Sequence, residues 1–295
     1  AESTADVSCW KLVQKWLHDC VNTHTLCRKT LPTSDSMANL TRLIDLQEPS
    51  APRLVETTEL ASKDLVSYAT LSHRWQAENM PKLTRSNLDG LKQSIQVRIF
   101  PHAFSDALDV CRRLKVRYIW INALCTIQDD LADWETESAL MGQVYHNAFC
   151  SIGASAAANH PVGLFIHRDS RQVQLCPLRI RRKEFDRIYG GRVESRPGKS
   201  RSTLLRRGWA LQERMLSKRS IYFDVRLRWE CFELSTCEMF PTGAPIVNTF
   251  TPRGDEGSPF RTVNLLFDDH RYRGTDIVYR FRTVDTVHSS SPKEL

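Results

Sequence analysis

Three groups of polar residues in this chain of 295 residues have types and spacings that could do chemistry. The first group comprises Ser72, His73, Arg74 and Trp75. The second comprises Asn122, Cys125, Gln128, Asp129 and Asp130, and the third comprises Arg207, Trp209, Gln212 and Glu213. Carboxylates, amides and guanidinium groups in such sets can bind a polar or phosphorylated small molecule, and they can stabilise charge that develops during a reaction.

The third group contains a pair whose spacing has a direct consequence. Trp209 and Glu213 are four residues apart, so on a helix they share one face and can present a ring and a carboxylate to the same ligand. A tryptophan at this spacing is more readily explained as a core aromatic residue than as a stacking surface. Glu213 is equally explained as a surface partner of Arg214 or Ser217. Both alternatives stay open at this point.

Alternating strands and helices must position these groups. Residues 68–72, 116–121 and 150–154 are predicted to be buried strands, and helices are predicted from residue 101 and over residues 131–148. This alternation indicates an α/β fold with a largely parallel sheet flanked by helices. Ligands of such sheets bind at the carboxyl ends of the strands. The first two groups follow predicted strand ends, so we expect all three groups to converge on one pocket.

The remaining segments are predicted in less detail. Residues 10–20 have the periodicity of an amphipathic helix, residues 28–60 have a loop-like composition, and residues 204–216 are predicted to be helical. Residues 220–223 and 227–231 are predicted strands. The last 55 residues lack sustained periodicity and receive no assignment.

Composition excludes several classes of protein. The chain is 41% hydrophobic and 25% charged, which is ordinary for a globular protein and argues against disorder or fibrous structure. No stretch of about 18 apolar residues predicts a membrane span. The N-terminus lacks the features of a signal peptide, so a cytoplasmic location is expected.

The G-x-G-x-x-G, P-loop, G-x-S-x-G, H-E-x-x-H and C-x-x-C motifs are absent, which argues against the common enzyme classes that use them.

The cysteines are odd in number and scattered. There are nine, which favours reduced thiols in an intracellular protein over a disulfide framework. Cys20, His24 and Cys27 resemble half of a zinc site. Four ligands are needed, and no second pair follows at a suitable spacing, so we expect no bound metal.

Basic charge is concentrated in one segment. Residues 179–219 contain 14 basic and four acidic residues, a local charge of +10, so the rest of a chain with net charge +7 sums to −3. An arginine-rich segment suits phosphate or carboxylate binding, and it would also suit nucleic acid. A solvated loop around residues 192–198 explains the segment equally well.

Six motifs resemble the fungal heterokaryon-incompatibility (HET) domain family, in the order in which the family has them. The motifs are YATLSHRW (68–75), FSDA (104–107), YIWINALCTIQDD (118–130), MGQVYHNA (141–148), GLF (163–165) and RGWALQER (207–214). The resemblance runs from about residue 16 to residue 231. It implies a domain at residues 61–235 with a fold related to Toll/interleukin-receptor (TIR) domains, which are flavodoxin-like. Residues 1–60 would be a helical and loop extension that packs on the core, and residues 236–295 a C-terminal extension that adds a β-rich part.

The resemblance also implies an activity. Members of the family act in non-self recognition and programmed cell death, with hydrolysis of NAD as the proposed reaction. TIR enzymes carry a W-x-x-x-E pattern whose glutamate is catalytic, so Glu213 becomes the catalytic candidate. The expected ligand-binding residues are Ser72, His73, Arg74, Trp75, Asn122, Cys125, Gln128, Arg207 and Trp209, with Arg74 and Arg207 as partners for the pyrophosphate.

Two positions depart from the family pattern, and they keep other functions in view. Asn122 stands where the family usually has aspartate, and Gln76 stands where it usually has glycine.

NAD is expected as a substrate and not as a resident cofactor, and a small molecule is expected as the partner in preference to nucleic acid. The first alternative is a non-catalytic TIR-like module that assembles with itself into a homo-oligomer or with a signalling partner. The second is a HET-fold enzyme diverted to a small-molecule reaction in fungal biosynthesis of secondary metabolites.

Overall fold

A computed structural model describes residues 1–29, 40–48, 50–60, 67–75, 80–156, 163–170, 176–182, 185–191, 208–239 and 241–242. For residues 176–182, 185–191 and 208–211 it describes the backbone alone. The chain divides into two compact units, one made of residues 1–168 and 201–244, the other of residues 169–200 and 245–295.

The described part of the chain contains the helices and strands that the predicted alternation requires, with some additions. The helices are α1 (Val7–Asn22), α2 (Thr25–Lys29), α3 (Leu88–Gln93), α4 (His102–Arg113), α5 (Asn122–Cys125), α6 (Leu131–Asn147) and α7 (Gly208–Leu216). The strands are β1 (Arg42–Asp45), β2 (Arg53–Glu56), β3 (Tyr68–Ser72), β4 (Tyr118–Trp120), β5 (Cys150–Gly153), β6 (Cys176–Arg182), β7 (Phe185–Gly191), β8 (Arg219–Phe223), β9 (Leu227–Cys231) and β10 (Ser235–Cys237).

Eight of these strands form the sheet of the first unit, in the order β10-β9-β8-β5-β3-β4-β1-β2. The four central strands β8, β5, β3 and β4 run parallel to one another. Every residue of β3, β4 and β5 is buried, as expected for parallel strands that are covered on both faces. The α/β class is therefore confirmed. The connections reverse direction at β3, since β4 lies on one side of it and β5 on the other.

The sheet differs from the prediction in one respect, because it is mixed and not mostly parallel. The pairs at both edges are antiparallel: β1 with β2 and β4, and β9 with β8 and β10. Residues 28–60 were expected to be loop-like, and this is wrong for β1 and β2. Both strands are only four residues long, which is too short for alternation to reveal them among polar neighbours. The specific likeness to TIR domains stays a prediction.

Amphipathic helices cover the sheet. In α1 the buried residues are Cys9, Trp10, Val13, Trp16 and Cys20, which confirms the predicted apolar face. In α4 the buried residues are Phe104, Ala107, Leu108, Val110 and Cys111. Burying such a face is what stabilises a helix of this length in water. Among the residues that the structure describes, no helix is both long and apolar enough to cross a membrane.

The second unit contains the hairpin of β6 and β7. The two strands are antiparallel, with Cys176 opposite Gly191 at one end and Arg182 opposite Phe185 at the other. Much of the basic segment belongs to this unit, but its side chains lie outside the described residues. The same holds for residues 243–295, so the C-terminal extension and the expected domain boundaries at 60 and 235 stay predictions.

Candidate functional site

A cleft of about 370 Å³ opens at the carboxyl ends of β3 and β4. Its lining comprises Leu71, His73, Trp75, Asn122, Gln128, Trp134, Ser138, Met141, Tyr145 and Glu213. The lining combines strand-end residues with residues from α6 and α7, which lie beside each other. Each of the three polar groups identified from sequence contributes at least one residue to this cleft, so the groups lie together as expected.

Two hydroxyl groups hold the carboxylate of Glu213, which lines the cleft. The hydroxyl of Ser72, the last residue of β3, donates a hydrogen bond to Oε2 of Glu213. The phenol of Tyr145 on α6 forms a second side-chain hydrogen bond with the same carboxylate. Burial, together with the neighbouring Glu213 charge, raises the pKa of Tyr145 well above its ordinary value, so the phenol keeps its proton and acts as donor.

An imidazole and two indoles form the wall beside this carboxylate. His73 is nearly buried, and Phe104 packs edge-on against it with ring centroids 4.8 Å apart. The Trp75 ring lies 6.3 Å from the His73 ring between centroids, with 30° between the two planes, and 37% of the Trp75 surface is exposed. Trp134 of α6 is 47% exposed and also lines the cleft. Exposed indoles at a cleft wall can stack against a planar ligand group.

Side-chain amides form another part of the lining. Asn122 is the first residue of α5, and Gln128 lies in the loop that follows α5. The Gln128 side-chain amide donates to the backbone oxygens of Asn122, at 3.2 Å, and Thr126, at 2.9 Å. These bonds fix the direction of the Gln128 side chain, which leaves its carbonyl oxygen available to a ligand donor.

The loop that carries these amides is anchored from behind by ionic contacts. The buried Arg42 guanidinium of β1 donates to the backbone oxygen of Cys125 at 2.7 Å and forms an ion pair with Asp133 of α6. The Asp133 carboxylate also accepts from the backbone N–H of Ile127 at 2.7 Å. Asp130 caps the N-terminus of α6 by accepting from the N–H groups of residues 132 and 133. The amide wall therefore rests on a rigid support.

Apart from Ser72, which bonds to Glu213, four of the residues expected in the site either do not line the cleft or have no described side chain. Cys125 is fully buried and does not line the cleft, and desolvation raises the pKa of its thiol to about 12, so its binding role stays a prediction. It is buried because α5 turns its residues 123–125 into the core. Arg74 is exposed and is not among the residues that line the cleft. Arg207 lies outside the described residues, as does the side chain of Trp209.

Five lining residues were not selected from the sequence. They are Leu71, Trp134, Ser138, Met141 and Tyr145. Three of them, Trp134, Met141 and Tyr145, belong to the helical periodicity of residues 131–148, which suggests core packing more readily than a ligand site. Leu71, Met141 and Tyr145 lie within motifs on which the family resemblance rests, and that position is the one signal that could have selected them.

A second cluster of chemically competent side chains lies elsewhere. Cys20, His24, Cys27 and Cys231 bring their ligand atoms within 4.8 Å of one another. From the sequence, only three of the four ligands that a zinc site needs were found. The structure adds a fourth, because Cys231 at the end of β9 lies beside the other three. The eight cysteines whose side chains are described are all free thiols.

Comparison with known proteins identifies one family. Residues 68–213 match the family model for Heterokaryon incompatibility protein (HET). The matched range begins at the first residue of β3 and ends at Glu213, so it contains all the residues that line the cleft. No curated protein and no solved structure matches the chain. Residues 68–213 therefore form a HET domain, as the motifs indicated.

Proposed function

We propose that the cleft of this HET domain binds NAD and hydrolyses its nicotinamide–ribose bond, with Glu213 as the catalytic carboxylate. The observation that carries this proposal is the fixed position of Glu213. Its carboxylate lies in a cleft at the strand ends and accepts hydrogen bonds from Ser72 and Tyr145. Two donors to one carboxylate favour its ionised form and hold it in place.

The proposed reaction uses the charge of Glu213 directly. When the bond between ribose C1′ and the nicotinamide nitrogen breaks, nicotinamide leaves with the bonding electrons and the ribose develops oxocarbenium character. A fixed carboxylate close to the ribose stabilises this positive charge without having to reorganise. Water then adds to C1′ and releases a proton, and the products are nicotinamide and ADP-ribose.

The cleft walls suit one half of the dinucleotide. The exposed faces of Trp75 and Trp134 can stack against the nicotinamide ring, while the amides of Asn122 and Gln128 can bond to the carboxamide or to ribose hydroxyls. The volume of about 370 Å³ is near the lower end of the range for small-molecule sites, which is roughly 300–1,000 Å³. We therefore place the nicotinamide riboside half in the cleft and the adenylate half beyond its mouth.

The strand order supports the same assignment. Numbered among themselves along the chain, the four parallel strands lie in the order 2-1-3-4, which corresponds to the first four strands of a flavodoxin-like sheet. Such sheets bind ligands where the winding reverses, at the carboxyl ends of the strands. Here that position is the end of β3, which carries Ser72 and His73. A TIR-like fold is therefore part of the proposal.

The biological setting follows from the family. We propose a cytoplasmic role in fungal non-self recognition, in which NAD depletion leads to programmed cell death. Assembly into a homo-oligomer would provide the means to activate the enzyme.

The decisive experiment measures nicotinamide release by chromatography after NAD is incubated with concentrated protein. Glu213→Gln keeps the shape of the side chain but removes its charge, so we expect release to fall by about 100- to 1,000-fold. Glu135→Gln is the matched control, since Glu135 is exposed on α6 and does not line the cleft. Thermal melts should show that both variants remain folded. Equal release from the parent protein and Glu213→Gln would contradict the catalytic role.

The same samples separate the two alternatives. A non-catalytic module would bind NAD in calorimetry and leave it intact at every protein concentration. An enzyme diverted to a biosynthetic reaction would neither cleave NAD nor bind it. Two observations favour this last function: Asn122 stands where the family usually has aspartate, and the cleft is small.

A further inference from the structure

Three thiols and one imidazole form a compact cluster beside the β9–β10 edge of the sheet, which we call the thiol–histidine cluster: Cys20, His24, Cys27 and Cys231. Cys20 lies in the last turn of α1, and Cys27 lies on α2. His24 is in the short link between these helices. Cys231 ends β9 and lies 207 positions after His24. The cluster shares no residue with the cleft.

The distances within the cluster are close to those around a tetrahedral metal ion. The four ligand atoms lie within 4.8 Å of one another. Nδ1 of His24 is 3.3 Å from the Cys231 sulfur and 3.8 Å from the Cys27 sulfur. With Zn–S bonds of about 2.3 Å and Zn–N bonds of about 2.0–2.1 Å, neighbouring ligand atoms of a tetrahedral zinc site are about 3.5–3.8 Å apart. Only small side-chain movements are needed to centre an ion.

The surroundings of the cluster supply a compensating charge. Arg219 is the first residue of β8, its side chain is buried, and its Nε donates to the Cys20 sulfur at 3.3 Å. Three thiolates, a neutral imidazole and a divalent cation carry a net charge of −1. One guanidinium neutralises that charge. A buried guanidinium beside neutral thiols would lack this compensation, which makes its burial costly.

Backbone donors surround the sulfurs as well. The N–H of Phe232 bonds to the Cys27 sulfur, and the N–H groups of Glu233 and Leu234 bond to the Cys231 sulfur. These donors belong to the tight turn between β9 and β10, which is closed by a bond from the Cys231 N–H to the Leu234 oxygen at 2.8 Å. N–H groups directed at ligand sulfurs are the supporting contacts expected around metal-bound thiolates.

We propose that the thiol–histidine cluster binds one structural zinc ion. Three sulfurs and one nitrogen in tetrahedral array are a characteristic zinc donor set. The protein fills all four positions, so the ion has no open site for a substrate and its role is structural. It fastens α1 and α2 to the β9–β10 edge, where Trp16 and Trp229 also meet with ring centroids 6.4 Å apart.

The test begins with metal analysis of the full chain, purified without chelators from zinc-supplemented cells. We expect about one zinc ion per chain, and cobalt substitution should give the intense visible bands of tetrahedral thiolate-bound cobalt. Cys231→Ser and His24→Ala should each lose most of the zinc. Cys237→Ser, six residues further along the same hairpin, and His18→Ala, on the exposed face of α1, should retain it.

A chelator provides a measurement that does not depend on whether variants fold. It should lower the melting temperature of the parent protein, and added zinc should restore it, because metal bound to the folded state stabilises that state. Zinc well below one per chain in the parent protein would overturn the proposal, as would a disulfide among the three cysteines. Full zinc content in Cys231→Ser would also overturn it. None of these measurements involves NAD, so the zinc proposal stands or fails independently of the proposed enzyme activity.

Discussion

The Ser72 hydroxyl donates a hydrogen bond to the Glu213 carboxylate across 141 positions of the chain. Ser72 ends β3 and Glu213 lies on α7, so this bond joins the central strand of the sheet to the helix that precedes β8. It places a carboxylate at the edge of the sheet where ligands of open α/β folds bind.

Removing either donor to Glu213 should slow the proposed reaction. Ser72→Ala and Tyr145→Phe each delete one hydrogen bond to a charged group, which contributes about 1.5–3 kcal/mol, so we expect kcat/KM for NAD to fall by roughly 10- to 100-fold. Ser86→Ala is the control, since Ser86 is exposed and outside the cleft. Unchanged kcat/KM in both variants would argue against the role of Glu213.

Restoring the usual family residue at position 122 should raise the activity. Asn122→Asp adds a negative charge to the cleft lining, where it can accept from ribose hydroxyls and favour a cationic transition state. We expect nicotinamide release to increase by about 10-fold or more, the effect of one favourable charge interaction of at least roughly 1.4 kcal/mol. Gln128→Glu adds the same charge to another part of the lining and serves as the comparison. An equal increase in both variants would indicate a general charge effect, and no increase in Asn122→Asp would contradict the prediction.

Sequence pattern predicted the parts of the fold that depend on local periodicity. The strand at Tyr68–Ser72, the amphipathic α4 and the long α6 all follow from apolar spacing. The rule that ligands lie at strand ends led us to expect the residues after β3 and β4 at one cleft, and His73 and Asn122 both line it. Each of these features can be predicted because it depends only on the local sequence and on a general rule of sheet topology.

Long-range contacts could not be predicted in this way. Tyr145 looks like a core residue of α6, and only the packing of α6 against α7 brings its hydroxyl to Glu213. Likewise, Cys231 joins His24 because β9 and its turn lie against the N-terminal helices. In both cases the partner is set by tertiary packing, for which the spacing of a single sequence carries no signal.

A close approach between β5 and β8 should make Gly153 intolerant of a side chain. A Cβ atom at this position would lie 2.4 Å from Cδ1 of the buried Tyr222 ring, which is far inside van der Waals contact. We expect Gly153→Ala to lower the free energy of unfolding by about 1–3 kcal/mol. In Gly90→Ala, a Cβ meets nothing within 4 Å at an exposed position of α3. That variant should gain up to about 1 kcal/mol from helix propensity. Urea unfolding measures both changes, and equal stabilities would contradict the clash.

The ion pair between Asp45 and Arg117 should make stability depend on pH in a defined direction. Burial alone would raise the pKa of Asp45, but hydrogen bonds from Arg117, at 2.8 and 2.7 Å, and from the Gln47 N–H outweigh it and hold the pKa below the ordinary 3.8. Because the folded-state pKa is the lower one, the ionised carboxylate stabilises the fold above about pH 4. This contribution is lost as the pH falls through the folded-state value.

Asp45→Asn should therefore cost stability near neutral pH and little in acid. Arg117 is 44% exposed, so solvent weakens the pair, and we expect the free energy of unfolding to fall by about 1–2 kcal/mol near pH 7. The difference from the parent protein should shrink steadily below about pH 4, because protonated Asp45 and asparagine are both neutral. Glu48→Gln, at an exposed position three residues further along, should show no such trend. Denaturant unfolding of the three proteins across this pH range measures the effect. A stability difference that stays constant down to about pH 3 would show that the ion pair does not cause it.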